Sequence, residues 1–226
     1  IHTKIMSFLK NIKKAWNWIW NSDSFLSWIV ALTLIFIFVK FIFFPVLSLI
    51  MGTTLPLAGI ESSSMDHQIA RDDSGRLSLC GEEYSEEEKD YINFEEYWEK
   101  CGNWYEERNI SKENFLEFSL KNGFRKGDIV VVYGRFNPKT GDVIIFKPNP
   151  GSTAPRPIIH RIVKIDGGIE TKGDHNANQL TGSNNLYNTD ETGIKENQII
   201  GKAILRIPFL GWPKIWLVEL LKMFVS

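Results

Sequence analysis

The chain has 226 residues, 43% of them apolar, enough for one ordinary domain with a real core plus appendages. Its net charge of −1 leaves no global basic field, which argues against a nucleic-acid partner. Two cysteines, Cys80 and Cys101, come without a CxxC pair or a histidine cluster, so neither a zinc site nor any other metal is expected.

In chain order, residues 1–24 form a basic segment, with Lys4, Lys10, Lys13 and Lys14 against the single acid Asp23. Three tryptophans share the stretch from Phe8 to Trp20 with the lysines, a pattern suited to the surface of a lipid bilayer. Residues 25–51 are apolar apart from Lys40. As a helix they would reach about 40 Å, against a hydrocarbon core of about 30 Å. A cleavable secretory signal has a shorter apolar region, of ~7–15 residues, so an uncleaved transmembrane anchor is expected. Lys40 can snorkel, and Pro45 is expected to kink or end the helix. Lysines before the anchor predict a single pass through the cell membrane, with the N-terminus cytoplasmic and the remainder extracytoplasmic. On that side Cys80 and Cys101 can pair, and a disulfide is favoured over two free thiols.

Residues 66–126 hold 16 of the 27 acidic side chains against 9 basic ones. Helices are expected from Glu86 to Gly102 and from Ser111 to Lys121, the second with Ser111 as its N-cap, making an acidic helical insert. A solvated helical face is the simpler reading of its charge. Docking of translocation machinery or pre-protein is the sharper one. Asn109-Ile110-Ser111 is a sequon of low specificity. From Asp128 onward short β-rich runs follow: Asp128–Tyr133, Asp142–Phe146, Pro157–Ile165, Gly168–Lys172 and Ile199–Ile207. Residues 212–226 read as an amphipathic C-terminal helix, too short to span. The expected fold class is α+β, mostly β, with an antiparallel barrel or sandwich behind one transmembrane helix.

Candidate chemistry is spread over distant pieces. Glu61-Ser62-Ser63-Ser64-Met65 follows the anchor; a serine becomes a nucleophile only beside a base. The histidines are His2, His67, His160 and His175. His160 lies in the strand-like Ile158-Ile159-His160-Arg161-Ile162-Val163, and Asp174 in the turn-like Thr171-Lys172-Gly173-Asp174-His175-Asn176. Taken singly, a strand histidine reads as structural and a Gly-Asp as turn chemistry.

Taken in order, the pieces resemble type I signal peptidases. The matching stretches are Ser62–Met65, Gly127–Val132, Gly141–Phe146, Ile159–Val163, Thr171–Asn176 and Gly201–Gly211. A histidine at position 160, where the bacterial branch carries a lysine, is similar to the archaeal and endoplasmic-reticulum branch. The resemblance implies a signal-peptidase-like β-barrel catalytic domain built from residues 52–65 and 127–211. It implies a membrane-bound serine endopeptidase that removes signal peptides from secretory pre-proteins after small residues, binding them as extended peptides. Ser64 would be the nucleophile, His160 the general base, Asp174 the group that orients the imidazole or supports the site, and Ser62 an oxyanion donor. An activated serine needs no cofactor.

The chain departs from the family in three ways. Ser63 replaces a glycine, and Asp66-His67 replaces a proline after Met65, which makes His67 a rival base to His160. Residues 66–126 replace a shorter connection. No aspartate lies within 175–180, so the third catalytic member is open between Asp174 and Asp190. The alternative function is a membrane-anchored, non-catalytic β-domain that binds extracytoplasmic partners; it predicts that Ser64 and His160 lie far apart.

Overall fold

The computed structural model describes residues 2–72, 75–88, 91–213, 215–217 and 220. They divide into two compact units, Ile1–Ile50 and Met51–Ser226.

The first unit is helical. Helix α1 (His2–Asn21) is amphipathic, with Trp16, Trp18 and Trp20 exposed. Ser24 opens α2 (Phe25–Phe38) with extended backbone, and the Ser27 hydroxyl donates back to the carbonyls of Ser22 and Ser24 at 2.9 and 2.7 Å. A π-helical turn (Val39–Phe43) joins α2 to α3 (Phe44–Met51). The resulting run Phe25–Met51 is long and apolar enough to cross a membrane, and its most apolar stretch is not buried within the protein. Of the two outcomes expected at Pro45, a kink or an end, the helix does not end there. The turn just before it is wound as a π-helix, with the Phe44 N–H donating to the Val39 carbonyl, and such a widened turn makes room for a residue that lacks an N–H. Lys40 lies in this turn with its ammonium over the rings of Phe36 and Phe41, 5.7 and 5.4 Å from their centroids.

The second unit is built on a six-stranded antiparallel sheet. Its strands are β1 (Leu57–Gly59), β5 (Ile129–Tyr133), β6 (Val143–Phe146), β7 (Ile158–Ile165), β8 (Ile169–Lys172) and β9 (Ile199–Ile207), in the order β1-β5-β9-β6-β7-β8. The β-rich runs read from the sequence therefore fall on strands. Where a barrel was expected, the sheet is open: the ladder ends at β1 on one side and β8 on the other among the described residues. Strand β6 is buried along its whole length, because its side chains alternate between two cores. Val143 and Ile145 pack with Ile60, Met65, Phe124, Val130 and Val132; Ile144 and Phe146 pack with Ile162, Ile169 and Ile194.

Residues 66–126 are not wholly helical. They begin with a small antiparallel sheet, β2 (Ala70–Arg71), β3 (Leu77–Leu79) and β4 (Glu82–Glu83). Glu86–Glu88 form one 3₁₀ turn, and helix α4 (Phe94–Glu106) starts later than expected. Asn93 sets that start: its side chain accepts from the Glu96 N–H while Glu96 returns the bond to the Asn93 N–H. Ser111 caps α5 (Lys112–Glu117) as expected, but that helix stops short of Lys121. The aromatic face of α4 (Tyr97, Trp98, Tyr105) packs with Phe115, Leu77, Leu79 and, from the main sheet, Val163, so the insert shares a core with β7. Glu95, Glu96 and Glu99 face solvent. Cys80 and Cys101 form a disulfide across 21 residues of chain, worth about 3 kcal/mol by loop-closure entropy. The expected C-terminal helix lies largely outside the described residues; residues 212–213 and 215–217 are helical.

Candidate active site

The serine loop follows β1 directly. Met65 fixes it: the side chain is buried in the core under β1 and β5, and its Sδ lies 3.4 Å from the Asp174 N–H that points at it. The loop backbone is tied to the same place, since the Ser64 carbonyl accepts from the His175 N–H at 3.0 Å and the Met65 carbonyl from the Phe124 N–H at 3.1 Å. Ser64 remains half-buried, and its hydroxyl lies 3.3 Å from that of Ser62. Ser63 turns the other way and donates to the Arg71 carbonyl.

His160 sits inside β7, opposite Ile144 of β6, and is 2% exposed. Its Nδ1 lies 2.5 Å from Oε2 of Glu191, a wholly buried carboxylate. Glu191 is held from all sides. Oε2 also accepts from the Thr171 hydroxyl at 2.9 Å, and Oε1 from the Leu180 N–H at 2.8 Å. Its backbone pairs with Leu180 and Thr171, closing the loop between them. With Nδ1 donating to Glu191, the proton is fixed there and Nε2 is left as an acceptor. Nε2 points toward the serine loop. A methyl group on Gly173 would sit 2.7 Å from His160 Nε2 and 2.7 Å from the Ser64 carbonyl oxygen, so the two residues flank the same glycine. Ser64 and His160, 96 positions apart in sequence, are thus brought together.

Asp174 does not bond to the His160 imidazole. Successive strand residues face opposite ways, so Arg161 projects from the other side of β7, and Asp174 is on that side. Arg161 is wholly buried; its Nε and Nη2 donate to the Asp174 carboxylate at 2.9 and 2.7 Å. Its remaining donors go to the carbonyls of Ser119, Leu120 and Gly141. His67 and Tyr105 add hydrogen bonds to the same carboxylate at 2.9 and 3.0 Å. Burial alone would raise the Asp174 carboxyl, but the Arg161 guanidinium outweighs it, helped by the bonds from His67 and Arg161, and holds it well below the usual carboxylate range. Asp190, the other aspartate considered, accepts from the N–H and hydroxyl of Thr192 in its own turn. His67, the rival base, is stacked on Tyr97 at 3.8 Å and committed to Asp174; burial pushes its imidazole below the ordinary value.

Sequence reasoning missed Glu191 and Arg161. Arg161 carried a signal, since an arginine inside an apolar strand must find a buried anion. Glu191 carried none that separates it from its neighbour Asp190; only the loop closure at Leu180 aims it inward.

No family model matches the chain. It is similar to proteins named signal peptidase complex catalytic subunit SEC11. The one from Pyricularia oryzae is 30% identical over 112 residues, 46% of this chain and 62% of that protein. Those from Neurospora crassa and Zygosaccharomyces rouxii are each 31% identical, over 62% and 64% of their lengths. The chain therefore spans a little over three fifths of the relatives it matches. These likenesses agree with the resemblance carried by the serine, histidine and Gly-Asp motifs.

Proposed function

We propose that the chain is a membrane-bound serine endopeptidase that removes signal peptides from secretory pre-proteins after small residues. The observation that carries this reading is the convergence of the Ser64 carbonyl and His160 Nε2 on Gly173, with Glu191 behind the imidazole. A partner-binding β-domain without chemistry gives no reason for that convergence. The likeness to catalytic subunits of signal peptidase complexes supports it.

In this reading Ser64 Oγ attacks the scissile carbonyl and forms an acyl-enzyme. His160 takes the serine proton at Nε2 and returns it to the leaving amine, and water then releases the acyl group by the same route. Glu191 holds the Nδ1 proton and stabilises the imidazolium. Asp174 braces the site through Arg161 and does not touch the imidazole. The Ser62 hydroxyl and the Ser64 N–H are the oxyanion donors, each worth about 3 kcal/mol of barrier. The Ser64 hydroxyl, now beside Ser62, turns to Nε2 when substrate seats, as catalytic hydrogen bonds commonly tighten only then.

The outer edge of β1 has no strand partner among the described residues, and it leads straight into the serine loop. An extended pre-protein segment adds there as a further strand. The span Phe25–Met51 anchors the catalytic segments 52–65 and 127–211 at the membrane, with the lysine-rich N-terminus cytoplasmic, and a disulfide suits the extracytoplasmic side. The test is incubation of the detergent-solubilised chain with a pre-protein carrying an A-x-A site, followed by mass determination of the product N-terminus. A single cut after the small residue is expected. Failure to cut several such pre-proteins would favour the binding-domain reading.

A further inference from the structure

The segment Thr171–His175 adjoins Ser64, His160 and Glu191. Thr171 bonds Glu191, Gly173 separates Ser64 from His160, and the N–H groups of Asp174 and His175 meet Met65 Sδ and the Ser64 carbonyl. Its other side is covered by the insert. From α4, the Tyr97 hydroxyl donates to the Asp174 carbonyl at 3.0 Å and the Tyr105 hydroxyl to its Oδ1 at 3.0 Å. The rings of Trp104 and Tyr105 lie over the buried Lys172 ammonium, 5.0 and 5.1 Å from it. From the β3–β4 turn, the Cys80 N–H donates to the His175 carbonyl at 2.9 Å, and Gly81 is so close to Ala177 that a side chain on it would lie 2.8 Å from the alanine methyl. The Cys80–Cys101 bond ties that turn to α4, so the two parts of the insert grip the segment as one piece.

Resting on the Ser64–His160 reading, we infer that residues 66–126 are a built-in positioning element of the active site. Tyr97 and Tyr105 are its positioning residues, and the Cys80–Cys101 bond closes it. The insert does more than decorate the surface, because the strip it holds sets the spacing between nucleophile and base. A rigid two-sided grip matters here because the glycine leaves no side chain of its own to fix that spacing. It follows that reduction of the disulfide, which leaves the hydrophobic core of the insert in place, loosens the strip and lowers turnover before it unfolds the protein. The acids of α4 point away from the strip, so their charge plays no part in this role.

The experiment uses the full chain in detergent and the pre-protein cleavage assay. Tyr105→Phe keeps the ring over Lys172 and deletes the hydroxyl. It is expected to lower kcat about 10-fold with KM unchanged within about twofold, since the loss is of alignment and not of substrate binding. Cys80→Ser/Cys101→Ser, and wild type under a dithiol reductant, should move kcat the same way. Phe146→Leu, a core change in β6 outside the insert, is the control: its Tm falls but its kcat holds. Deuterium uptake of peptides covering 171–176 should rise in Tyr105→Phe and in the reduced protein, but not in Phe146→Leu. Unchanged kcat and unchanged uptake in both test proteins, beside an active wild type and an inert Ser64→Ala, would overturn this inference alone. An inert wild type overturns the peptidase reading and the inference with it.

Discussion

Glu191→Gln tests the site where the sequence was least informative. Glu191 Oε1 faces the Leu180 N–H, while Oε2 faces both the Thr171 hydroxyl and the His160 Nδ1–H. A glutamine has one acceptor oxygen and one NH₂. With the oxygen on Leu180, the NH₂ confronts Nδ1, and the imidazole answers by moving its proton to Nε2. That tautomer cannot accept from Ser64. Restoring the working tautomer leaves two buried donors facing each other, each costing about 1–3 kcal/mol. The sum, about 2–6 kcal/mol, corresponds to roughly 30- to 3 × 10⁴-fold in kcat at 1.36 kcal/mol per decade. Turning the amide over moves the conflict to the Leu180 N–H and does not remove it. Steady-state cleavage of a pre-protein gives kcat and KM, and Glu191→Asp, one methylene shorter, should fall between wild type and glutamine. Glu191→Gln within about threefold of wild-type kcat, beside an inert His160→Ala, would refute the assignment of Glu191 as the orienting acid.

Three further outcomes follow from the same geometry. Gly173→Ala puts a methyl 2.7 Å from both His160 Nε2 and the Ser64 carbonyl, so kcat should drop about 10²-fold while circular dichroism stays that of wild type. Asp174→Asn leaves the Arg161 guanidinium buried without its anion and should cost about 3–5 kcal/mol in a denaturant titration. Asp66 sets a pH dependence: burial, opposed by Arg125, raises its carboxyl from 3.8 to about 6. At this group the folded state therefore holds a proton that the unfolded chain has released, and the Asp66 contribution to stability falls as pH rises from about 4 to about 6. Asp66→Asn keeps the acceptor for the Gln68 N–H and removes this loss, so its Tm should match wild type near pH 4 and exceed it at pH 7.

The strands were legible because β-branched runs between turn residues declare themselves locally: Ile129–Tyr133, Val143–Phe146 and Ile199–Ile207 were each anticipated. The apolar run 25–51 was legible for the same reason, whereas its passage through Pro45 depends on a π-turn that hydropathy does not encode. The insert misled because its run of glutamates favours helix, while pairing of Leu77–Leu79 with short neighbours and capping by Asn93 decide where the helix begins. At the proposed site, the pairing of Ser64 with His160 was an expectation carried by motif order. The carboxylate that meets His160 Nδ1 was not legible. Which carboxylate meets Nδ1 depends on which face of β7 each residue takes, and on a loop closed between Leu180 and Glu191.

The central claim is that Ser64 and His160 perform one reaction. Its most direct test is the turnover of a pre-protein by wild type, Ser64→Ala and His160→Ala, with folding checked for each. The account predicts cleavage after the small residue by wild type and a loss of about 10⁴-fold or more in both variants, the two losses being similar because the pair acts as a unit. Cleavage by either variant at a rate near that of wild type would contradict it.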